Sequence, residues 1–148
     1  MKPLVWVKRE CRRGRLSLAE VKKTARAFLD ASGFRNSGLS LLLVSDRRMR
    51  ALNQRYLKHD YATDVLAFPL DAAGGAGPAA MAGEIIISLE TALRQAPLYG
   101  HTFRQEFYFY LCHGILHLAG WEDDTPLKRA RMFRRQENLL KKLAILKP

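Results

Sequence analysis

The chain has 148 residues, 48% of them apolar, and a formal net charge of +11 from 25 basic and 14 acidic side chains. This apolar fraction excludes an intrinsically disordered chain, and the presence of only two cysteines excludes a disulfide-rich scaffold. The length predicts one domain over residues 1–148. No apolar run is long enough for a membrane span or a signal-peptide core, so we expect a soluble, cytoplasmic protein.

The predicted elements of the amino-terminal half alternate between strands and helices. Residues 3–8 and 39–44 predict strands. Between them lies a helix that starts after Ser17, the first residue of a capping-box pattern, and stops near Gly33. Ser45 or Asp46 caps a second helix, and a strand over residues 65–68 ends at Pro69. The Gly- and Ala-rich stretch 71–83 predicts a surface loop.

The carboxyl-terminal half adds one more strand and three more helices. A strand over residues 84–88 leads into a helix capped by Ser88. A second capping box, Thr102 to Gln105, opens a long helix that ends at Gly120, and Pro126 opens a basic amphipathic helix. Strands and helices in this order predict the α+β class, with a small mixed sheet packed against helices.

Positive charge is concentrated at the two ends of the chain. Residues 1–60 carry a net charge of +10 and residues 101–148 a net charge of +4, whereas residues 61–100 carry −3. A positive field of this size attracts polyanions and accelerates their encounter with the protein. We therefore expect a nucleic acid, and no membrane, as the partner.

Two of the four histidines, His113 and His117, lie four residues apart on the long predicted helix. This spacing places both imidazoles on one helical face, close enough to bind a single metal ion. After the helix ends, the chain turns back toward its exposed end. Any of three acidic residues in that turn can then add a carboxylate ligand: Glu122, Asp123 or Asp124.

The residue that follows His113 limits which reactions the predicted metal site can catalyse. Metallopeptidases with the HExxH signature carry their general base, a glutamate, at this position. Here the position is Gly114, which has no side chain to move a proton. A peptidase of that mechanism is therefore not expected.

Two long motifs resemble those of the YbeY family of metal-dependent endoribonucleases. The family motif HGxLHLxGYDH aligns with His113 to Asp123, and the motif LNxxYRxxDxPTDVLSFP aligns with Leu52 to Pro69. The resemblance implies a zincin-like fold, one bound zinc ion and hydrolysis of single-stranded RNA. It also implies a role in ribosomal RNA maturation and ribosome quality control, with the small ribosomal subunit as a candidate partner.

The chain differs from the family motifs at two functional positions. The resemblance implies His113 and His117 as metal ligands, and Asp123 stands where the family has its third histidine. Because a carboxylate is a harder ligand than imidazole, the metal could be zinc or another divalent ion. Leu57 replaces an arginine that is functionally important in the family, and leucine cannot neutralise a phosphate.

These departures leave three functions open. The first is an active endoribonuclease, the second a catalytically silent protein that binds RNA or the ribosome, and the third a metallohydrolase of another substrate class. The sequence assigns no catalytic acid or base. Asp64 and Glu84 could orient a water molecule or form structural hydrogen bonds, and Glu106 could hold a histidine or pair with an arginine. We expect the other two histidines to face solvent: His59 and His101.

Overall fold

The structure, a computed structural model, describes residues 4–57, 64–70 and 81–147, with only the backbone of Tyr56 and Leu57. Within these ranges the strands are β1 (Val5–Arg9), β2 (Gly38–Val44), β3 (Val65–Pro69) and β4 (Met81–Ser88). The helices are α1 (Leu18–Ala31), α2 (Asp46–Leu57), α3 (Leu89–Gln95), α4 (Phe103–Leu118) and α5 (Pro126–Lys142), and a 3₁₀ turn (Ala96–Tyr99) follows α3. This arrangement confirms the predicted α+β class.

The four strands form one mixed sheet in the order β1-β2-β4-β3. Strands β1, β2 and β4 are parallel, and β3 runs antiparallel to β4. The carboxyl ends of the three parallel strands therefore meet the start of β3 at one edge of the sheet. At this edge the Asp46 carboxylate accepts hydrogen bonds from Ser88 Oγ at 2.6 Å and Arg94 Nη1 at 2.6 Å, which ties α2 to α3.

The two faces of the sheet are covered by different helices. Side chains of β2 and β4 that alternate along the strands, such as Leu41 and Ile85, enter the larger core with α1, α4 and α5. Ile86 points to the opposite face, where it packs with Met49 and Leu52 of α2. This alternation is the expected consequence of the strand's two-residue period.

Helix α4 lies directly on β3 and β4 because glycines stand at the contact points. A Cβ atom on Gly114 would lie 3.0 Å from Ile85 Cδ1. A Cβ atom on Gly83 would lie 2.6 Å from the Phe68 carbonyl oxygen and 2.7 Å from Leu118 Cδ2. The missing side chains thus set how closely the helix that carries both predicted metal ligands approaches the sheet.

The predicted helix starts are confirmed in detail. Ser17 Oγ accepts a hydrogen bond from the Glu20 amide, and both bonds of the capping box between Thr102 and Gln105 are present. Ser45 rather than Asp46 caps α2, since its hydroxyl oxygen accepts from the Arg48 amide at 3.2 Å. Each of these signals is local, because the capping side chain reaches an amide only three residues away.

The predicted loop over residues 71–83 is wrong at its carboxyl-terminal end, because β4 already begins at Met81. Met81 pairs with Gly38 of β2, and Gly83 pairs with Leu39 of β2 and Pro69 of β3. Neighbours on both sides thus extend the strand into a segment whose composition indicates a loop. Residues 71–80, the rest of this prediction, lie outside the described residues.

Among the helices that the structure describes, none combines the length and the apolar character needed to cross a membrane.

Candidate metal centre

The end of α4 brings the acidic turn back toward the two histidines. Gly120 adopts a φ of +98°, the left-handed conformation that glycine adopts without strain. Its amide donates to the His117 carbonyl oxygen at 3.0 Å, and the Trp121 amide donates to the Leu116 carbonyl oxygen at 3.0 Å. These two bonds form a Schellman motif, which reverses the chain and returns Asp123 to the face of α4 that bears the histidines.

The side chains of His113, His117 and Asp123 converge on one point. The two Nε2 atoms lie 2.9 Å apart, and Asp123 Oδ2 lies 3.3 Å from Nε2 of His117 and 3.5 Å from Nε2 of His113. Ligand atoms about 2.0–2.1 Å from a tetrahedral zinc ion are separated by about 3.3 Å. The three residues therefore form a group that could hold one metal ion.

Hydrogen bonds at the far side of each ring leave both Nε2 atoms available as ligands. His117 Nδ1 lies 3.0 Å from the Trp121 carbonyl oxygen, and His113 Nδ1 lies 3.4 Å from Gln136 Oε1. The amide of Gln136 is itself oriented, because its nitrogen donates to the Phe109 carbonyl oxygen at 3.3 Å. An imidazole that donates through Nδ1 keeps its lone pair on Nε2, the atom that faces the cluster.

The local electrostatics favour the neutral form of His113. Burial, together with the neighbouring His117, lowers the pKa of His113 below its ordinary value. Neutral imidazole is the form that binds metal ions. The cluster nevertheless stays open on one side, since the Asp123 side chain is 41% exposed.

A lysine and an arginine on α5 separate the three acids of the turn. Lys128 Nζ lies 2.6 Å from Glu122 Oε2 and 3.3 Å from Asp124 Oδ1, so both of these carboxylates pair with the lysine. Arg129 donates to the backbone carbonyl oxygen of Asp123 at 3.2 Å and leaves the Asp123 carboxylate directed at the histidines. Of the three alternatives that the sequence left open, Asp123 is the acid that the structure brings to both rings.

A cavity of about 630 Å³ adjoins the cluster, and His113 forms part of its wall. It lies where β3 begins and extends between α3, α4 and α5. The lining also includes Asp64, Arg94, His101, Glu106, Phe109 and Phe133.

The other candidate residues that the structure describes lie outside the cluster of His113, His117 and Asp123. Glu106 does hold a histidine, but its partner is His101, with Oε1 and Nδ1 2.7 Å apart. The prediction that His101 faces solvent is wrong, since its side chain is 22% exposed and forms this pair. Glu84 lies between two residues that contact α4, so its side chain points to the other face of the sheet. His59 and the side chain of Leu57 lie outside the described residues.

The sequence gives only a weak indication that His101 and Glu106 form a pair. Both residues flank the start of α4, and Glu106 belongs to its first turn. A histidine just ahead of a capping box, five residues before an acid, can reach back over the helix start. The His101 ring also lies 5.9 Å from the ring of Phe109 on α4, a contact that requires the segment before α4 to fold back over the helix.

The fold and the cluster define an α+β protein in which two histidines of α4 and an aspartate of the following turn form a group that could hold a metal ion. The family model described as "Endoribonuclease YbeY" matches residues 8–144 of the chain. The chain therefore belongs to the Endoribonuclease YbeY family.

Individual relatives agree with this assignment. The chain is 42% identical over 127 residues to Endoribonuclease YbeY of Anaeromyxobacter sp. (strain Fw109-5), covering 86% of this chain and 65% of the relative. For the protein of the same name from Myxococcus xanthus (strain DK1622) the identity is 45%, covering 78% of this chain and 40% of the relative. This chain thus spans less than two thirds of the length of these relatives. A solution structure of a protein from Thermotoga maritima matches with a TM-score of 0.66 at 25% identity, covering 93% of this chain and 87% of that one.

Proposed function

We propose that this chain is a metal-dependent endoribonuclease that hydrolyses single-stranded RNA during the maturation and quality control of ribosomal RNA. The observation that carries the proposal is the cluster of His113, His117 and Asp123, whose ligand atoms lie 2.9–3.5 Å apart in a chain of the YbeY family. Relatives that carry the name Endoribonuclease YbeY support the reaction class. The proposal places the protein in the cytoplasm, with the small ribosomal subunit as a candidate partner.

The proposal assigns zinc to these three ligands. A bound zinc ion supplies Lewis acidity toward a phosphoryl oxygen and lowers the pKa of water. Gln136 and the Trp121 carbonyl oxygen keep the two imidazoles oriented, and Asp123 contributes one negative charge to the site. With Asp123 as the one charged ligand, a divalent ion at these residues would leave the site with a net positive charge of one, which favours binding of a phosphodiester.

The chain's own groups set the limits of the acid–base chemistry. Gly114 has no side chain, and Glu106 is committed to His101. Asp64 lines the cavity beside His113, and its Oδ1 accepts a hydrogen bond from the Val65 amide at 2.7 Å. We therefore assign proton transfer to none of these side chains.

A catalytically silent RNA- or ribosome-binding protein is the second candidate. It is favoured by the two departures from the family motifs, Asp123 for histidine and Leu57 for arginine. Such a protein would bind RNA through its net charge of +11 and would leave the strand intact.

Metal content and RNA cleavage, measured on the same samples, separate the two candidates. We expect about one zinc ion per wild-type chain, and cleavage of single-stranded RNA that a chelator abolishes and added zinc restores. His117→Ala should lose both, whereas the matched control Glu122→Gln should keep both because Glu122 pairs with Lys128. Bound zinc without cleavage would favour the silent binder, and absence of metal after reconstitution would refute the metal centre.

A further inference from the structure

The cavity beside the cluster is larger than metal binding requires. It measures about 630 Å³ and extends from His113 to Arg94 on α3. Ligand pockets commonly have volumes of about 300–1,000 Å³. An RNA strand with one phosphate at the cluster would place an adjoining part of that nucleotide at the mouth of this cavity.

One wall of the cavity is a row of three rings. The centroids of His101 and Phe109 lie 5.9 Å apart, and those of Phe109 and Phe133 lie 5.5 Å apart. Phe133 is 50% exposed, although it is a large apolar side chain. Exposed aromatic rings are the surfaces on which single-stranded bases stack.

Phe133 has a defined position relative to the cluster. It lies three residues before Gln136 on α5, so the two side chains are neighbours on one face of that helix. Gln136 in turn contacts His113 Nδ1. The same stretch of α5 therefore orients one metal-site imidazole and presents the exposed ring beside it.

The charges of the lining favour a neutral ring over a second phosphate. Asp64 and Glu106 both belong to the lining, and each adds negative charge. Arg94 is also in the lining, but its guanidinium lies 2.6 Å from Asp46 Oδ2. A phosphate would face Asp64 and the pair of Glu106 and His101 here, whereas a base offers amino groups as donors and a π-face for stacking.

We infer that this cavity is a subsite for the base of the nucleotide whose phosphate lies at the His113–His117–Asp123 cluster, with Phe133 as its stacking surface. The inference rests on the proposed function for its class of ligand. It adds a contact to the base in a site whose proposed metal ion would act on the phosphate. Phe133 is in this view a residue that touches the substrate.

The test compares two ligands that differ only in the base, adenosine 5′-monophosphate and ribose 5-phosphate, on the zinc-loaded full chain. Titrations followed by NMR give both dissociation constants without any cleavage. We expect the nucleotide to bind at least about 5-fold more tightly, because stacking on an aromatic side chain contributes that much per base. The backbone amides that shift should include those of Phe109 and Phe133.

Three variants complete the experiment. Phe133→Ala should bring the ratio of the two dissociation constants close to one, and Phe133→Trp should keep or increase it. Leu127→Ala is the matched control, an apolar residue of similar exposure on the same helix, and should leave the ratio unchanged. Equal affinities in the wild type, or a preference that survives Phe133→Ala, would overturn the subsite.

The outcome is independent of the nuclease assay. A chain that cleaves RNA but does not prefer the nucleotide would retain the proposed function and lose the base subsite. A chain that prefers the nucleotide through Phe133 but cleaves no RNA would retain the subsite and lose the nuclease proposal.

Discussion

Asp123 is the residue at which this chain departs from the three-histidine site implied by the family motif. Its carboxylate nevertheless lies within 3.3–3.5 Å of both imidazole nitrogens. Two neighbouring acids are drawn away by Lys128, which the sequence alone does not show because Lys128 lies on the next helix. The site histidines follow from helical spacing, whereas the choice among the three acids depends on contacts made after the chain has folded.

Replacing Asp123 tests its role directly. Asp123→Asn should lower zinc affinity by more than the roughly 10- to 100-fold that loss of an outer hydrogen-bond partner costs, because a charged ligand is removed. Asp123→His should bind zinc more tightly than the wild type, since imidazole is the softer ligand. Competition with a chromogenic chelator measures both affinities.

The neighbouring acid supplies the control for this pair. Asp124→Asn should leave zinc affinity near the wild-type value, as its carboxylate pairs with Lys128. If Asp124→Asn lost the metal while Asp123→Asn kept it, Asp124 would be the third ligand.

At the scale of elements, the helix starts could be predicted from the sequence and the long-range contacts could not. Ser17 and Thr102 cap their helices through amides three residues away, so the signal is complete within a short segment. The first residues of β4 needed pairing with Gly38 and Leu39, which lie more than forty positions earlier in the chain. The pair of His101 and Glu106 is five residues apart in the chain, but it forms only because the segment before α4 folds back over the helix start.

The contact of α4 with the sheet predicts a ranking of two glycine substitutions. Gly83→Ala should destabilise the protein strongly, because the new Cβ would lie 2.6 Å from a backbone oxygen of β3 that cannot move alone. Gly114→Ala should cost less, since its nearest obstacles are side-chain atoms of Ile85 and alanine raises helix propensity by about 1 kcal/mol. Urea unfolding gives the two free energies.

A second substitution checks the cause of this ranking. Ile85→Ala combined with Gly114→Ala should recover part of the free energy of unfolding that the single changes lose together. Equal losses for Gly83→Ala and Gly114→Ala would contradict the ranking.

At the scale of the whole molecule, part of the positive charge lies on an ordered segment that follows β1. The guanidinium of Arg9 donates to the carbonyl oxygens of Cys11 at 2.7 Å and Gly14 at 2.6 Å, which orders the segment between β1 and α1. Arg12 and Arg15 are exposed on this ordered segment. Charge counting could predict a basic surface, but only the fold shows that part of it is held in a fixed shape.

This surface predicts a salt dependence of RNA binding. The logarithm of the association constant should fall linearly with the logarithm of the salt concentration, and each lost phosphate contact should reduce the slope by about 0.7. Arg12→Gln combined with Arg15→Gln should therefore weaken binding at low salt and flatten the slope. Fluorescence anisotropy with a labelled single-stranded RNA measures both quantities.

A paired arginine serves as the comparison. Arg35 is 79% exposed and lies 3.4 Å from Asp30, so Arg35→Gln should change the slope little. An unchanged slope in the double variant would show that the segment after β1 does not contact the RNA.

Binding of the proposed metal ion would be coupled to opening of the turn that ends α4. This turn carries Asp123 to the histidines, and its amides at Gly120 and Trp121 bond back to α4. A metal ion held by both histidines and Asp123 would connect the two ends of this turn, so the turn would open locally only after the ion is released. Hydrogen exchange at these two amides should slow markedly when zinc is added, while exchange in the middle of α1 stays the same, so the loading state of the site can be followed in two backbone amides.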